Sequence, residues 1–359
     1  MARCEFIDDL IPLIFESNDH WWPRDLVALA TVSPSWLFYS RKRLYSFPTI
    51  HSFPAARLLA RTLTENSRLS TLVSGVCLRP MLGEQDRRNP QPAELRGLRL
   101  LLGLEGLERI VIGGELAVKA ERFLRLIGNP DGVEDIQVDG SLVSHRMSSR
   151  PSLEWDEGLS FGFQRLKKLR LTDMEIDIIA PSIDCPSTIT DLVLENVHII
   201  HGHVAYLLNG ARTMNCLHVT TKDAAVSDGH LGIVLASCMV KCLHYELQKE
   251  SCGNGFGLDM NTESIGTLEC LHLKGVYVDL GVLNSVSEVC RNLRELVVSG
   301  RAVRVTGAEW AGYIRSGAFS GLERLGLPWG TNRRPFIPWP PAEVQEIREA
   351  CARRRLDVY

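Results

Sequence analysis

A short apolar motif that recurs along most of the chain constrains its fold more than any other feature. The motif has the form φ-x-x-φ-x-φ, where φ is an apolar residue and x is any residue. From residue 166 onward, successive copies begin 23, 25, 26, 28, 25 and 29 residues apart, which indicates a stack of similar structural units. The apolar triplets are Val73/Val76/Leu78, Leu107/Ile110/Ile112, Val133/Ile136/Val138, Leu166/Leu169/Leu171, Ile189/Leu192/Leu194, Met214/Leu217/Val219, Val240/Leu243/Tyr245, Leu268/Leu271/Leu273, Leu293/Leu296/Val298 and Leu322/Leu325/Leu327.

Each triplet predicts a short β-strand, because its last two apolar residues are two positions apart and point to the same face. A strand with one apolar face must be covered by a helix, and one such pair cannot bury its surface alone, so neighbouring pairs must stack. A period of about 20–29 residues with this pattern is typical of leucine-rich repeats. The sequence therefore predicts an α/β leucine-rich-repeat solenoid over residues 51–359, with parallel strands on the concave face and helices on the convex face.

Helix-like segments follow several of the later triplets, as this architecture requires. Thr306 and Glu309 have the spacing of a capping box at the start of the last of these segments. His198, His201 and His203 are expected in the turn that follows a strand. The predicted helical segments are Val204–Ala211, His230–Met239, Leu280–Asn292 and Gly307–Phe319.

The N-terminal residues 6–50 have a different pattern, which predicts three short helices. Pro23 and Asp25 begin the second helix, and Ser33-Pro34 is a favourable N-cap and first-turn pair for the third. Three short helices of this size cannot bury much apolar surface alone, so the segment needs a partner or the adjoining domain.

The stretches "DDLIPLIF" and "DLVALATVSPSWLFYSRKRLY" resemble an F-box, and the following "LLARTLTENSRLSTLVSGVCL" is similar to the opening of the repeat domain in fungal F-box proteins with C-terminal leucine-rich repeats. The final "PPAEVQEIREACARRRLDVY" is similar to the closing helix and last strand of such proteins. The resemblance implies an F-box-like segment over 6–50 that binds the Skp-type adaptor of a cullin ubiquitin ligase. The residues that would form or support this contact are Leu10, Ile14, Leu26, Leu29, Val32 and Trp36.

In that case the repeats would select a protein substrate for ubiquitination, and the chain itself would carry out no catalysis and need no cofactor. An alternative is a leucine-rich-repeat scaffold that binds a partner through its repeats, with a degenerate F-box and no ligase role. A third possibility, from a different class, is an enzyme or metal protein that uses cysteine and histidine side chains within the repeats.

The tripeptide Cys-Leu-His occurs three times, at 216–218, 242–244 and 270–272, each time within a triplet. The leucine faces the core, so the cysteine and histidine face the opposite side of the strand. Adjacent strands lie about 4.8 Å apart, which predicts one row of cysteines and a parallel row of histidines. Flat rows spread ligands instead of surrounding an ion, so the sequence favours a partner-binding surface over a metal site.

Charged residues at the equivalent positions of neighbouring repeats extend this predicted surface. Basic positions come first, an acidic position follows, the Cys/His rows come next, and another acidic position ends the series. This order suits a protein or peptide partner. The candidate substrate-binding residues are Lys168, Arg170, Asp191, Cys216, His218, Cys242, His244, Cys270, His272 and Glu295.

The overall composition argues against two classes of partner. The formal net charge is -3 and the pI is about 6.4, so the chain has no global positive field to attract nucleic acid or anionic lipid. No apolar run approaches the roughly 18 residues of a membrane span. The ten cysteines are scattered without a C-x-x-C pair, and no signal peptide is recognisable. These features predict a cytoplasmic or nuclear protein with reduced thiols.

Overall fold

The computed structural model describes residues 9–17, 21–81, 90–143, 149–183, 187–208, 210–222, 224–248, 263–329 and 338–359. Strands and helices alternate along most of this part of the chain, and the strands pair in parallel, so the protein is α/β with a mostly parallel sheet, as predicted. The chain divides into two compact units, Met1–Leu153 and Glu154–Tyr359. The predicted division between residues 50 and 51 lies inside the first unit, and residues 6–8 lie outside the described residues.

The first unit contains a helical N-terminal part followed by a parallel sheet in the order β1-β2-β3-β4. Its helices are α1 (Leu10–Glu16), α2 (Pro23–Leu29), α3 (Pro34–Ser46), α4 (Phe53–Glu65), α5 (Ser67–Ser70), α6 (Pro92–Leu102) and α7 (Glu121–Leu124), with 3-10 turns at Gly114–Ala117 and Pro130–Gly132. Its strands are β1 (Thr49–Ile50), β2 (Gly75–Leu78), β3 (Arg109–Gly113) and β4 (Asp135–Asp139). The three predicted N-terminal helices are therefore present, and Ser33 caps α3 by accepting a hydrogen bond from the Trp36 amide at 3.3 Å.

The second unit is built around a parallel sheet in the order β6-β8-β10-β11-β12-β13-β14-β15. Strand β5 (Ser152–Trp155) spans the division between the units. The other strands are β6 (Lys168–Thr172), β7 (Glu175–Ile178), β8 (Asp191–Glu195), β9 (His198–His201), β10 (Thr213–Thr221), β11 (Met239–Leu247), β12 (Cys270–Lys274), β13 (Glu295–Ser299), β14 (Arg324–Gly326) and β15 (Asp357–Val358). The helices are α8 (Glu157–Gly162), α9 (Val204–Leu208), α10 (Ala224–Ser237), α11 (Leu280–Val289), α12 (Gly307–Arg315) and α13 (Pro341–Arg354), with a 3-10 turn at Glu263–Thr267.

The four helices predicted after the later triplets are all present, as α9 to α12. The predicted capping box is also confirmed, because the Thr306 hydroxyl accepts from the Glu309 amide and the Glu309 carboxylate accepts from the Thr306 amide. The prediction for His198 and His201 is wrong: they belong to β9, which pairs in parallel with β7 in a separate small sheet. His203 does follow this strand, immediately before α9.

The triplets form the core of both units. Every triplet residue is buried except Val219, which is half-buried. The middle residues of successive triplets pair directly with one another, so Leu217 lies opposite Leu243 and Leu243 lies opposite Leu271. Burial at each triplet position and direct pairing between triplets explain why the strands stack in one register, since a one-residue slip would turn every apolar side chain to the other face.

Candidate functional site

The Cys-Leu-His tripeptides lie on three adjacent strands of the second unit, in identical register. Cys216, Cys242 and Cys270 pair in sequence across β10, β11 and β12. The histidines two positions later pair in the same way, and they point to the same side of the sheet as the cysteines because side chains two apart share a face. The two predicted rows are therefore present. We call this surface the Cys/His face and define it by Cys216, Cys242, Cys270, His218, His244 and His272.

The rings in the histidine row approach one another closely. The ring centroids of His218 and His244 are 5.5 Å apart in a stacked arrangement, and those of His244 and His272 are 4.1 Å apart in an edge-to-face arrangement. The ring centroids of the second pair are closer than the strand separation of about 4.8 Å, whereas those of the first pair are farther apart. The row is therefore not evenly spread, and it is densest at β11 and β12.

Cys270 completes a compact group with these two histidines. One ligand atom from each of His244, Cys270 and His272 lies within 4.8 Å of the other two. The expectation that flat rows keep such atoms apart does not describe this part of the face, because the imidazoles tilt toward each other. We call these three residues the His-Cys-His triad.

Glu295 on β13 closes the face beside the triad. Its Oε1 lies 3.2 Å from Nε2 of His272 and accepts a hydrogen bond from the Tyr359 hydroxyl at 2.8 Å. Its Oε2 pairs with the Arg324 guanidinium at 2.5 Å. Burial raises the pKa of this carboxyl, but the contacts with Tyr359, His272 and Arg324 outweigh burial and lower the pKa overall. The carboxylate is therefore ionised and held in place.

Two thiols of the Cys/His face, those of Cys216 and Cys270, have raised pKa values and are protonated at neutral pH. Burial, followed by the neighbouring Cys242, raises the pKa of Cys216 to about 11. Burial and the contact with Cys242 also raise the pKa of Cys270 well above its ordinary value. The thiolate is the nucleophilic form of cysteine, so these thiols are not activated for covalent catalysis.

Two of the histidines, His218 and His244, have lowered pKa values for a related reason and are neutral at neutral pH. Burial, followed by repulsion from His272 and His218, lowers the pKa of His244 to about 4. Burial also lowers the pKa of His218, whose Nε2 lies 3.1 Å from the Thr220 hydroxyl. Neutral imidazoles keep a free lone pair, which is the form that binds metal ions.

The charged residues predicted beside these rows lie at paired positions of the neighbouring strands. Lys168 pairs with Asp191, and Asp191 pairs with Cys216. Lys168 and Arg170 are exposed, whereas Asp191 is half-buried. Cys270 and Glu295, which we predicted as substrate-binding candidates on the concave face, are each only 8 % exposed because the side chains packed around them exclude solvent. The accessible part of this surface is therefore its basic end together with the half-buried Asp191, Cys216, Cys242 and the three histidines.

The six residues predicted to form or support the Skp contact have two structural roles. Leu26 is buried in a small core with Ile11 and Phe15, and Leu29 and Trp36 pack against that core. Leu10 and Val32 are exposed, and Ile14 is half-buried. The prediction missed several exposed apolar side chains on α1 to α3 and the adjoining turns, and a helical-wheel pattern calculated for each helix would have found some of them. These side chains are Leu13, Trp22, Val27, Phe38 and Leu44.

No known protein family model matches the chain, and no curated protein matches it significantly. Among the described residues, none of the helices has the length and apolar character that a membrane crossing requires.

Proposed function

We propose that the protein is a substrate-recognition subunit of a Skp–cullin–F-box ubiquitin ligase. In this proposal α1 to α3 form the F-box and bind the Skp-type adaptor, and the strands of the second unit belong to leucine-rich repeats that bind a protein substrate. The chain performs no catalysis itself. The resemblance of residues 6–50 to an F-box suggests the Skp-type adaptor as the partner. The exposed apolar surface of the same residues is the structural observation that carries the proposal.

The apolar exposure of α1 to α3 supports a protein partner at this segment. Val32 is 62 % exposed and Leu13 is 59 % exposed, although a buried core of Ile11, Phe15 and Leu26 holds the helices together. Contiguous exposed apolar patches are typical of protein–protein interfaces, and in this proposal these side chains form such a patch. The core fixes the helices, and the exposed residues are left free to contact a partner.

The repeat-like architecture of the second unit supports the substrate-binding half of the proposal. Its strands pair in parallel, with triplet leucines in register, and the residues between them face away from the core. Repeat proteins use such extended strand faces to bind partners. Lys168 and Arg170 at one end of this face suit an acidic segment of a substrate.

The adaptor contact is tested by co-purification of the full chain with a fungal Skp-type adaptor. We expect the wild-type chain to form a stoichiometric complex, and we expect Leu13→Asp and Val32→Asp each to weaken it at least tenfold. Leu58→Asp is the matched control, because Leu58 is a 48 % exposed apolar residue on α4, outside the proposed interface. Burying a charge in an apolar contact is costly, whereas the same charge on an exposed surface is not.

Absence of a complex with the wild-type chain would refute the ligase role and leave the alternative of a repeat scaffold with a degenerate F-box. Equal weakening by Leu58→Asp would show that the apolar residues of α1 to α3 have no special part in the contact. Circular dichroism of each variant separates loss of binding from loss of folding.

A further inference from the structure

We propose that His244, Cys270 and His272 bind a transition metal ion of the zinc class, through two imidazole nitrogens and one thiolate. This site is part of the strand face proposed to bind a substrate, but it does not depend on the ligase role. The observation that carries it is the convergence of three ligand atoms of the preferred chemical types from two adjacent strands.

The separation of the three ligand atoms is close to what a metal ion requires. Zinc lies about 2.0–2.3 Å from nitrogen and sulfur ligands in a tetrahedral arrangement, which places two ligands about 3.3–3.6 Å apart. The triad atoms lie within 4.8 Å of one another, so each has to move by roughly half an ångström to 1 Å, which small rotations of the side chains provide. The strands themselves do not need to move.

The surroundings of the triad match the second layer of contacts found around zinc. The Glu295 carboxylate lies 3.2 Å from Nε2 of His272, and Tyr359 and Arg324 hold it there. Carboxylates at this distance orient histidine ligands and increase their basicity. Nε2 of His272 is buried and makes no hydrogen bond with favourable angles, so the imidazole gains from a reorientation that satisfies both its nitrogens.

Binding the ion requires neutral imidazoles and a thiolate as ligands. Cys270 releases its thiol proton to solvent when its sulfur binds the ion. Cys242 hydrogen-bonds to Cys270, so a fourth position can be filled by its sulfur or by water.

The first and last copies of the tripeptide differ in a way that provides matched controls. Cys216 and His218 occupy the same rows, but His218 is engaged with Thr220 and lies farther from His244 than His272 does. Substitutions at these two positions therefore remove the same chemical groups from the same face without removing a proposed ligand. A general affinity of the thiols or imidazoles of this face for metal would respond to both pairs of substitutions alike.

The test measures Zn²⁺ affinity of the full chain, purified without a histidine tag and kept reduced, by competition with a zinc-responsive chelator. We expect one ion per chain with a micromolar or lower Kd. His244→Gln and Cys270→Ser should each weaken binding at least tenfold, and Cys216→Ser and His218→Gln should change it less than threefold. Circular dichroism confirms that each variant is folded.

Cobalt(II) provides a second measurement on the wild-type chain, which does not depend on the folding of any variant. We expect an intense near-ultraviolet band from thiolate-to-cobalt charge transfer, and a stronger band if Cys242 is the fourth ligand than if water is. Absence of stoichiometric zinc binding, a cobalt complex without the thiolate band, or equal weakening by the control substitutions would each overturn the proposal.

Discussion

Leu243 provides the most direct test of the stacked-triplet core. It is 0 % exposed and pairs with Leu217 on one side and Leu271 on the other, so Leu243→Ala leaves a cavity between two neighbouring triplets. The substitution removes three carbon atoms, which is worth about 2.4 kcal/mol in transfer free energy at roughly 0.8 kcal/mol per buried methylene. The unfilled cavity adds to this, so we expect the free energy of unfolding to fall by about 3–4 kcal/mol.

The measurement is the urea unfolding midpoint followed by far-ultraviolet circular dichroism, with Lys241→Ala as the control. Lys241 is an exposed residue of the same strand, two positions before Leu243. We expect its substitution to change the free energy of unfolding by less than about 0.5 kcal/mol. A loss below about 1 kcal/mol for Leu243→Ala, or an equal loss for Lys241→Ala, would show that the triplet leucines do not form the core of this unit.

The remaining predictions concern the backbone and a helix cap. Gly275 has a φ of +71°, and a Cβ there would collide with the Leu247 carbonyl, so Gly275→Ala should lower the free energy of unfolding by at least 1–3 kcal/mol. Gly312→Ala, in an open position of α12, should instead raise it by about 0.5–1 kcal/mol, and thermal unfolding compares the two. Thr306→Ala should cost about 1 kcal/mol by removing the cap of α12. Hydrogen bonds from Thr306 lower the pKa of Glu309, so the stability gained from its charge is present above the ordinary glutamate pKa and lost in acid. The difference in urea midpoint between wild type and Glu309→Gln should therefore shrink as the pH falls through that range.

The fold class was predictable because one periodic signal fixes both the local element and its packing. Three apolar positions in the spacing of a strand define which face is buried, and their repetition defines which strands are neighbours. Cap signals were equally local, and Ser33 and Thr306 both cap the helices that they were predicted to begin. Such features depend on residues a few positions apart, which a single sequence displays directly.

The small sheet containing β7 and β9 was not predictable in the same way. His198 and His201 follow a triplet strand closely, and two successive short strands with a turn between them look like one strand and its exit. Their strand conformation depends on pairing with β7, which no local pattern specifies. Tertiary pairing thus decided the conformation of these residues.

The sequence was sufficient to predict the two rows of the candidate site, but not how deeply its side chains are buried. The register of the triplets was sufficient to place the cysteines and histidines of β10 to β12 beside their counterparts. It was not sufficient to show that Tyr359, the residue after β15, reaches the carboxylate of Glu295 and helps to bury it. Contacts between residues 64 positions apart follow from the packing of side chains after the strands are aligned.

The same repetition that builds the core also concentrates chemistry on the opposite face. In a parallel stack with constant register, a polar residue repeated beside each core leucine meets copies of itself at the strand spacing of about 4.8 Å. Burial disfavours the charged form of such an imidazole, and repulsion between neighbouring copies lowers its pKa further, as at His244. A repeated Cys-Leu-His therefore yields neutral nitrogen ligands next to thiols without any residue selected for a low pKa. The strands β11 and β12 differ from β10 because Glu295, held by Arg324, lies beside His272. Its carboxylate gives this end of the rows a fixed negative charge. A cation is therefore favoured at the His-Cys-His triad and not at the Cys216 end.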